Sequence, residues 1–275
     1  MKTLRYLSII LALTALGISA CKKSFLERGP IGSLSDVIVA NKSGINYLLV
    51  GAYAALDGQQ TAQAALGGGG PWEASPTNWI YGSVAGGDAH KGSFSGDQPG
   101  IDPIAKFTVD ASNGFFNTKW RAVYEGVIRT NTVLALLQQA TDMSDAEKKE
   151  VEAEARFLRG HYYFELKKMF NNVPYITDTT IDLSIKNDKE LWPYIEADFK
   201  FAADNLPATQ PDVARANKWA AQIYLAKTYL YQKKYPEAMP LFDQAIASGV
   251  TSNGIKYELT NAFEDNFDAA KKNNS

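Results

Sequence analysis

Residues 218–245 read KWAAQIYLAKTYLYQKKYPEAMPLFDQA and contain two short runs in which apolar and small side chains recur at helical spacing. A polar turn with a proline separates the two runs. The small side chains of Ala226 and Ala238 allow two helices to approach closely, while Tyr229 and Phe242 fill the space beside them. The stretch therefore predicts an antiparallel helical hairpin.

The hairpin follows the alternation of large and small side chains that is typical of a tetratricopeptide repeat. The positions that match this pattern are Leu225, Ala226, Tyr229, Ala238, Phe242 and Ala245. Gln222 stands where the repeat usually has a tryptophan. Because one hairpin cannot bury its own outer face, we expect the preceding helices to stack on it.

Four more helices are predicted upstream of the hairpin. The first has an N-cap at Ser43, and the second covers about residues 116–139. The third follows a capping box that begins at Ser144, and the fourth covers about residues 189–206, with its regular part starting at Pro193. The predicted fold class is all-α, built from stacked helical hairpins.

One long segment interrupts the helical pattern. Residues 58–115 show no helical periodicity and are too numerous for a simple connection. Four consecutive glycines lie within this segment, but they lack the Lys-Ser/Thr pair and the preceding strand of a phosphate-binding loop. Two tryptophans and further aromatic residues indicate that part of the segment is packed. We expect a long irregular loop insertion.

The overall composition excludes several classes of function. The chain has 45% hydrophobic and 21% charged residues, and 28 basic side chains stand against 30 acidic ones. This balance lacks the basic footprint that nucleic-acid binding requires. One cysteine and two histidines provide no internal disulfide and too few ligands for a Cys/His metal cluster. We predict no nucleic-acid partner, no metal and no cofactor.

The first twenty residues have the layout of an export signal, with a basic start, an apolar stretch and small residues before Cys21. The apolar stretch is shorter than the ~20 residues that a transmembrane helix needs. Residues 18–21, Ile-Ser-Ala-Cys, resemble a bacterial lipobox, in which the signal is cut before a cysteine that is then lipidated. We predict a signal peptide at 1–20 and a domain at 21–275 held on a membrane by Cys21. Cleavage without lipidation and an uncleaved anchor helix stay open as alternatives.

Several motifs together resemble the RagB/SusD family of outer-membrane lipoproteins from Bacteroidota. The longest is EARFLRGHYYFEL at residues 154–166, followed by Asn172-Val173-Pro174. The others are the lipobox with Phe25-Leu26-Glu27, the run from Asn46 to Leu56, Trp120 and Tyr124 ahead of Asn131, and Arg215-Ala216-Asn217-Lys218. They occur in the family's order from the signal to about residue 250.

The resemblance implies a lipid-anchored, surface-exposed protein of the outer membrane. Such a protein binds oligosaccharide or another nutrient and delivers it to a TonB-dependent SusC-like transporter. Family members are also about twice as long, and their carboxyl-terminal lobe contributes ligand-contacting surface. Because residues 263–275 are polar and show no closing helix, we expect a truncated chain that lacks this lobe.

The candidate ligand-binding residues lie in the irregular loop. Glycans bind to aromatic faces and to amide or carboxylate groups, and the loop offers Trp72, Trp79, Tyr81, Phe94, Asn78, Asp88 and Asp97. Alternatively, the aromatic members of this set fold the loop onto the helices. No family motif marks any of these positions.

The remaining conspicuous residues are interpreted as structural. Glu154, Arg156 and Arg159 are expected to form ion pairs or a solvated face, and Asn131 to bond backbone groups across a helix interface. The aromatic stripes at 120/124 and 162/163/166 are expected to be core.

No catalytic activity is predicted, because no nucleophile or acid/base pair stands in a recognisable setting. Two alternatives to glycan binding stay open. One is a lipid-anchored repeat scaffold that binds a peptide or protein partner, and the other is a two-carboxylate glycoside hydrolase, which no motif supports.

Overall fold

Seven α-helices follow one another in the computed structural model, which describes residues 39–57, 79–92, 94, 96–180 and 184–271. They are α1 (Lys42–Ala54), α2 (Ile101–Ala105), α3 (Gly114–Leu137), α4 (Asp145–Phe170), α5 (Trp192–Asn205), α6 (Lys218–Tyr231) and α7 (Tyr235–Ser248). Shorter helical turns lie at Ala55–Asp57, Trp79–Val84, Phe263–Phe267 and Ala269–Lys271. These ranges contain no strand beyond an isolated bridge between Val250 and Lys256. The all-α prediction is confirmed.

The long helices pack mainly on their neighbours in the chain. Helix α3 packs on α4, α4 on α5, α5 on α6 and α6 on α7, while α1 lies against α3 and α4. This succession of neighbour contacts is that of stacked helical hairpins, as the sequence predicts. No helix in the described ranges has the length and apolarity that crossing a membrane requires.

Local capping signals set most helix boundaries, with one correction. The Ser144 side chain accepts from the backbone N–H of Glu147, and the Glu147 carboxylate accepts from that of Ser144 at 2.8 Å, which is the predicted capping box. The N-cap of α1 is Asn41 rather than Ser43, and its side chain accepts from the N–H of Gly44 at 3.0 Å. Asn41 has extended backbone angles, so the helix begins two residues earlier than predicted.

The hairpin of α6 and α7 has the predicted close contact. Ala226 and Ala238 are buried where the two helices meet. Gln222 donates from Nε2 to the carbonyl oxygen of Leu241 at 2.9 Å. A hydrogen bond across the hairpin thus replaces the aromatic contact that a tryptophan usually supplies at this position.

A tyrosine at the centre of the bundle joins three helices. The ring of Tyr162 on α4 lies so close to Gly126 on α3 that a Cβ there would be 2.4 Å from ring atoms. The hydroxyl of Tyr162 donates to the carbonyl oxygen of Ala52 on α1 at 2.6 Å. Only a glycine at position 126 leaves room for this arrangement.

A buried charged network joins α3, α4 and α5. Arg159 donates to both carboxylate oxygens of Asp198 at 2.8 and 2.9 Å, and to Asp178 at 3.2 Å. Arg156 also donates to Asp198, and Asn131 donates to the backbone oxygen of Ile176 at 3.0 Å. The predictions of structural ion pairs and of backbone bonding by Asn131 are confirmed.

The long insertion is less irregular than predicted. Trp79–Val84 form a π-helical turn, and α2 follows at Ile101–Ala105. The two segments pack together through a cluster of buried side chains: Ile80, Val84, Ile101, Ile104 and Phe115. Each segment has six residues or fewer and contributes a single apolar pair to the cluster, so periodicity could not reveal it. Residues 58–78 lie outside the described ranges.

Candidate functional site

The structure describes five of the candidate ligand residues that the sequence indicates. Trp79 and Tyr81 are partly buried and pack against the hydrophobic cluster of the insertion. Phe94 is 75% exposed, Asp88 is exposed and Asp97 is partly exposed. None of these three residues lines either of the two clefts described next. Trp72 and Asn78 lie outside the described residues, as does Cys21.

The first cleft is open to solvent between the start of α3 and the end of α4. It has a volume of about 520 Å³, and we call it the Trp120 cleft. Its aromatic walls are Trp120, Phe116 and Phe170, and its polar groups belong to Asp110 and Asn117. The prediction that Trp120 is core is wrong in part, because the residue is only partly buried at the cleft wall, whereas Tyr124 is buried.

The second cleft adjoins the first on the other side of Phe116 and Met169. It has a volume of about 480 Å³, and we call it the Lys168 cleft. Its walls include Tyr81 from the π-helical turn, Lys168 from α4 and Tyr231 from the end of α6. Tyr81 is thus the candidate residue that the structure brings to a cleft.

Four aromatic rings run continuously from one cleft to the other, and we call them the aromatic ladder. Tyr81 lies 5.9 Å from Phe116, Phe116 lies 6.4 Å from Phe170, and Phe170 lies 5.1 Å from Trp120, all measured between ring centroids. Phe116 and Trp120 are four residues apart and therefore share one face of α3. Phe170 reaches them because it is the last residue of α4.

The polar groups of the Trp120 cleft are accessible. Asp110 accepts hydrogen bonds from the hydroxyl and the backbone N–H of Ser112, and these bonds hold the pKa of its carboxyl below the usual range. Asp110 is therefore a charged acceptor at neutral pH. The exposed side-chain amide of Asn117 forms no hydrogen bond with other described residues. A mostly apolar concave wall with a few polar groups at its rim is typical of small-molecule sites.

Charged groups lie behind the Lys168 cleft. Glu165 accepts from Nζ of Lys168 at 2.8 Å, and its other oxygen lies 3.6 Å from Nζ of Lys119, which is almost fully buried. Burial acts to raise the pKa of Glu165, but the two ammonium groups outweigh it and the pKa is lowered. Burial, with the neighbouring lysines, lowers the pKa of His161 to about 4, so its imidazole is neutral at pH 7.

A third cleft, of about 410 Å³, lies beside Arg215 and Glu154. Its polar groups are largely paired with one another. Arg215 donates to Glu154 at 3.1 Å and to Asn46 at 2.6 Å, and Tyr53 donates to Glu154 at 2.6 Å. This pairing makes the third cleft a structural junction rather than a ligand site.

Metal ligands are not grouped in the part of the chain that the structure describes. No set of three or more His, Cys, Asp or Glu side chains is placed there to hold an ion. The chemistry that the Trp120 and Lys168 clefts offer is therefore stacking, hydrogen bonding and charge.

Sequence reasoning missed most of these two clefts. Asp110, Asn117, Met169 and Phe170 were not among the candidates, although all four line the Trp120 cleft. The available signal was the pair Phe116 and Trp120 at the start of a helix, next to a polar segment. The pattern of α3 alone cannot separate a cleft wall from a core stripe, because the partner Phe170 is 50 residues away in the chain.

The comparisons with known proteins agree on one family. The profile of a SusD-like family described as "Starch-binding associating with outer membrane" matches residues 88–230, just over half of the chain. A SusD-like protein from Bacteroides ovatus is 26% identical over 279 residues, which cover 97% of this chain and 47% of that protein. The starch-binding protein SusD of Bacteroides thetaiotaomicron is 32% identical over 120 residues, which cover 41% of this chain and 22% of that protein.

The solved structures agree with the sequence matches. A laminarin-binding SusD-like protein superimposes with a TM-score of 0.69 and 26% identity, covering 85% of this chain and 50% of that one. The chain thus spans about half the length of the relatives that match most of it. The profile match and the shared helical fold show that the chain belongs to the SusD-like family, as the motifs around residues 154–166 predict.

Proposed function

We propose that this protein binds oligosaccharide or a related nutrient at the outer membrane and delivers it to a TonB-dependent SusC-like transporter. The observation that carries the proposal is the aromatic ladder across two adjoining clefts. The names of two relatives, one laminarin-binding and one starch-binding, support a glycan as the ligand class.

The Trp120 cleft suits a sugar chain in both shape and chemistry. The faces of Trp120 and Phe116 offer apolar surface to the C–H groups of a pyranose ring. Asp110 accepts hydrogen bonds from sugar hydroxyls, while the amide of Asn117 both donates and accepts. A chain of several sugar units extends from this cleft past Phe116 into the Lys168 cleft, where Tyr81 and Tyr231 supply further aromatic surface.

The irregular insertion supplies further candidate contacts. In this proposal Tyr81 touches ligand directly, and Trp72, Asn78, Trp79, Phe94 and Asp88 are further candidate contacts. The proposed role is capture and transfer, with no bond made or broken in the glycan.

The proposed location rests on the amino-terminal sequence and on the family. Residues 1–20 act as the export signal, and the lipid on Cys21 anchors the domain at 21–275, facing the cell surface. The family's description as associated with the outer membrane supports this location.

Polysaccharide binding by purified variants tests the glycan-binding part. We expect Trp120→Ala to weaken binding of laminarin or starch by about tenfold to thirtyfold, as truncation of a central tryptophan does at binding sites. Asn117→Ala, a change at an exposed side chain, should weaken binding by about fivefold through the lost hydrogen bonds. Affinity gel electrophoresis across a polysaccharide panel, followed by calorimetry, measures both.

Tyr47→Ala is the matched control, because Tyr47 is a 74% exposed aromatic residue on α1 that lines neither cleft. Equal affinities for the Tyr47, Asn117 and Trp120 variants would refute the site. Absence of binding to every glycan in a broad panel would refute the glycan as ligand. Failure of a SusC-like transporter to co-purify from outer membranes would refute the delivery step.

A peptide or protein scaffold is the second candidate function, and one observation favours it. Tyr235, Met239 and Ile246 lie at helical spacing on α7 and are between 53% and 70% exposed. Such an apolar stripe suits a partner helix. Met239→Asp should then abolish co-purification of a protein partner while glycan binding is unchanged.

A further inference from the structure

Positive charge exceeds negative charge behind the Lys168 cleft. Lys168 is the one charged side chain among the described residues that line this cleft. The carboxylate of Glu165 faces the ammonium groups of both Lys168 and Lys119. A third lysine, Lys227 on α6, forms no ion pair with any described carboxylate.

Lys227 and Lys168 both lie near the same aromatic ring. Nζ of Lys227 is 5.3 Å from the ring centroid of buried Phe164, and Nζ of Lys168 is 5.9 Å from the same centroid. Tyr231, which lines the cleft, follows Lys227 by one helical turn, and its ring lies 5.0 Å from that of Phe164. Both ammonium groups therefore lie near one buried ring, which contacts the cleft wall at Tyr231.

The surroundings of the ammonium groups strengthen their attraction for an anion. Aromatic walls lower the local dielectric, so an anion in the cleft feels the ammonium groups more strongly than it would in open water. His161 is neutral and adds no charge of its own. The whole chain has a net charge of −2, so this attraction is local to the cleft and not a property of the entire surface.

We infer that the Lys168 cleft accepts an anionic group of the glycan, either a sugar carboxylate or a sulfate ester, with Lys227 and Lys168 as its partners. The inference rests on the proposed glycan-binding function and narrows it to acidic glycans. A neutral sugar leaves the charge of Lys227 uncompensated, whereas a carboxylate or sulfate compensates it and forms charge-assisted hydrogen bonds.

The test compares acidic with neutral polysaccharides on the purified protein. Polygalacturonate supplies carboxylates, carrageenan supplies sulfate esters, and laminarin and starch supply neither. We expect at least one acidic polymer to bind more tightly than the neutral ones, and its affinity to fall with salt. We expect Lys227→Gln to weaken that binding about tenfold, while Lys227→Arg retains it.

The control variant is Lys149→Gln, which removes the same charge from an exposed position on α4, about 28 Å along the helix from Lys168. It separates a specific contact from a general attraction to polyanions. Preference for polygalacturonate identifies the carboxylate, and preference for carrageenan identifies the sulfate ester.

Two results overturn the inference. In the first, neutral polymers bind and acidic ones do not, which leaves the proposed glycan-binding function standing. In the second, Lys227→Gln and Lys149→Gln weaken acidic-polymer binding equally. If no polymer of either kind binds, the proposed function fails, and the inference fails with it.

Discussion

Replacing Gly126 with alanine tests the packing of α3 against α4. The added Cβ would lie 2.4 Å from ring atoms of Tyr162, whose side chain is buried and only 2% exposed. Overpacking of this kind costs about 1–3 kcal/mol. A displaced hydroxyl would also leave the carbonyl oxygen of Ala52 unpaired, at a cost of about 1–3 kcal/mol. The higher helix propensity of alanine offsets about 1 kcal/mol of this loss in stability.

At the midpoints of these ranges, the net expectation for Gly126→Ala is a loss of about 3 kcal/mol in the free energy of unfolding, or roughly 6–12 °C in Tm. Urea unfolding followed by circular dichroism measures the free energy, and an unchanged m-value shows that the native state is otherwise intact. Gly51→Ala on α1 is the matched control, because nothing lies within 4 Å of its added Cβ. Equal stability of the two variants would refute the packing argument.

Three more predictions address charge, pH and anchoring. Asp198→Asn removes the buried carboxylate that Arg156 and Arg159 share and leaves Arg159 paired with the partly exposed Asp178 alone. Urea unfolding should show a loss of about 3 kcal/mol, at the lower end of the range for a broken buried ion pair. A loss of less than about 1 kcal/mol, the value of an exposed ion pair, would count against the network. The pKa of His161 is depressed to about 4 in the folded state, so between pH 4 and 6.5 the unfolded chain binds more protons than the folded one. The free energy of unfolding should therefore fall as the pH drops through this window, by up to about 3 kcal/mol. His161→Gln should flatten that dependence, and an unchanged pH profile would contradict it. Cys21→Ala should move the protein from the membrane fraction to the soluble fraction on cell fractionation, and retention at the membrane would exclude the lipid anchor.

The helices that the sequence predicts well are those with strong local signals. The start of α4 follows from the capping box at Ser144, and α3 is found within two residues because its apolar stripe spans six turns. The hairpin of α6 and α7 follows from small residues at fixed spacing. Each of these signals acts within a few residues of the chain, where periodicity and capping apply.

The clefts depend on contacts between distant parts of the chain. Trp120 becomes a cleft wall because Phe170 and residues 109–111 stand beside it, and none of these is its neighbour in sequence. The charge behind the Lys168 cleft likewise combines Lys119, Glu165 and Lys227 from three helices. A single sequence contains no local signal for such a combination.

The buried network around Arg159 has a consequence for cooperativity. A solenoid of independent repeats can unfold from one end, because each repeat contacts only its neighbours. Here Arg159 binds Asn131 on α3 and Asp198 on α5, so opening any one of these layers exposes a buried charge from the others. Amide hydrogen exchange in α3, α4 and α5 should therefore report a single opening energy, while α7, which lies outside the network, exchanges faster as a separate unit.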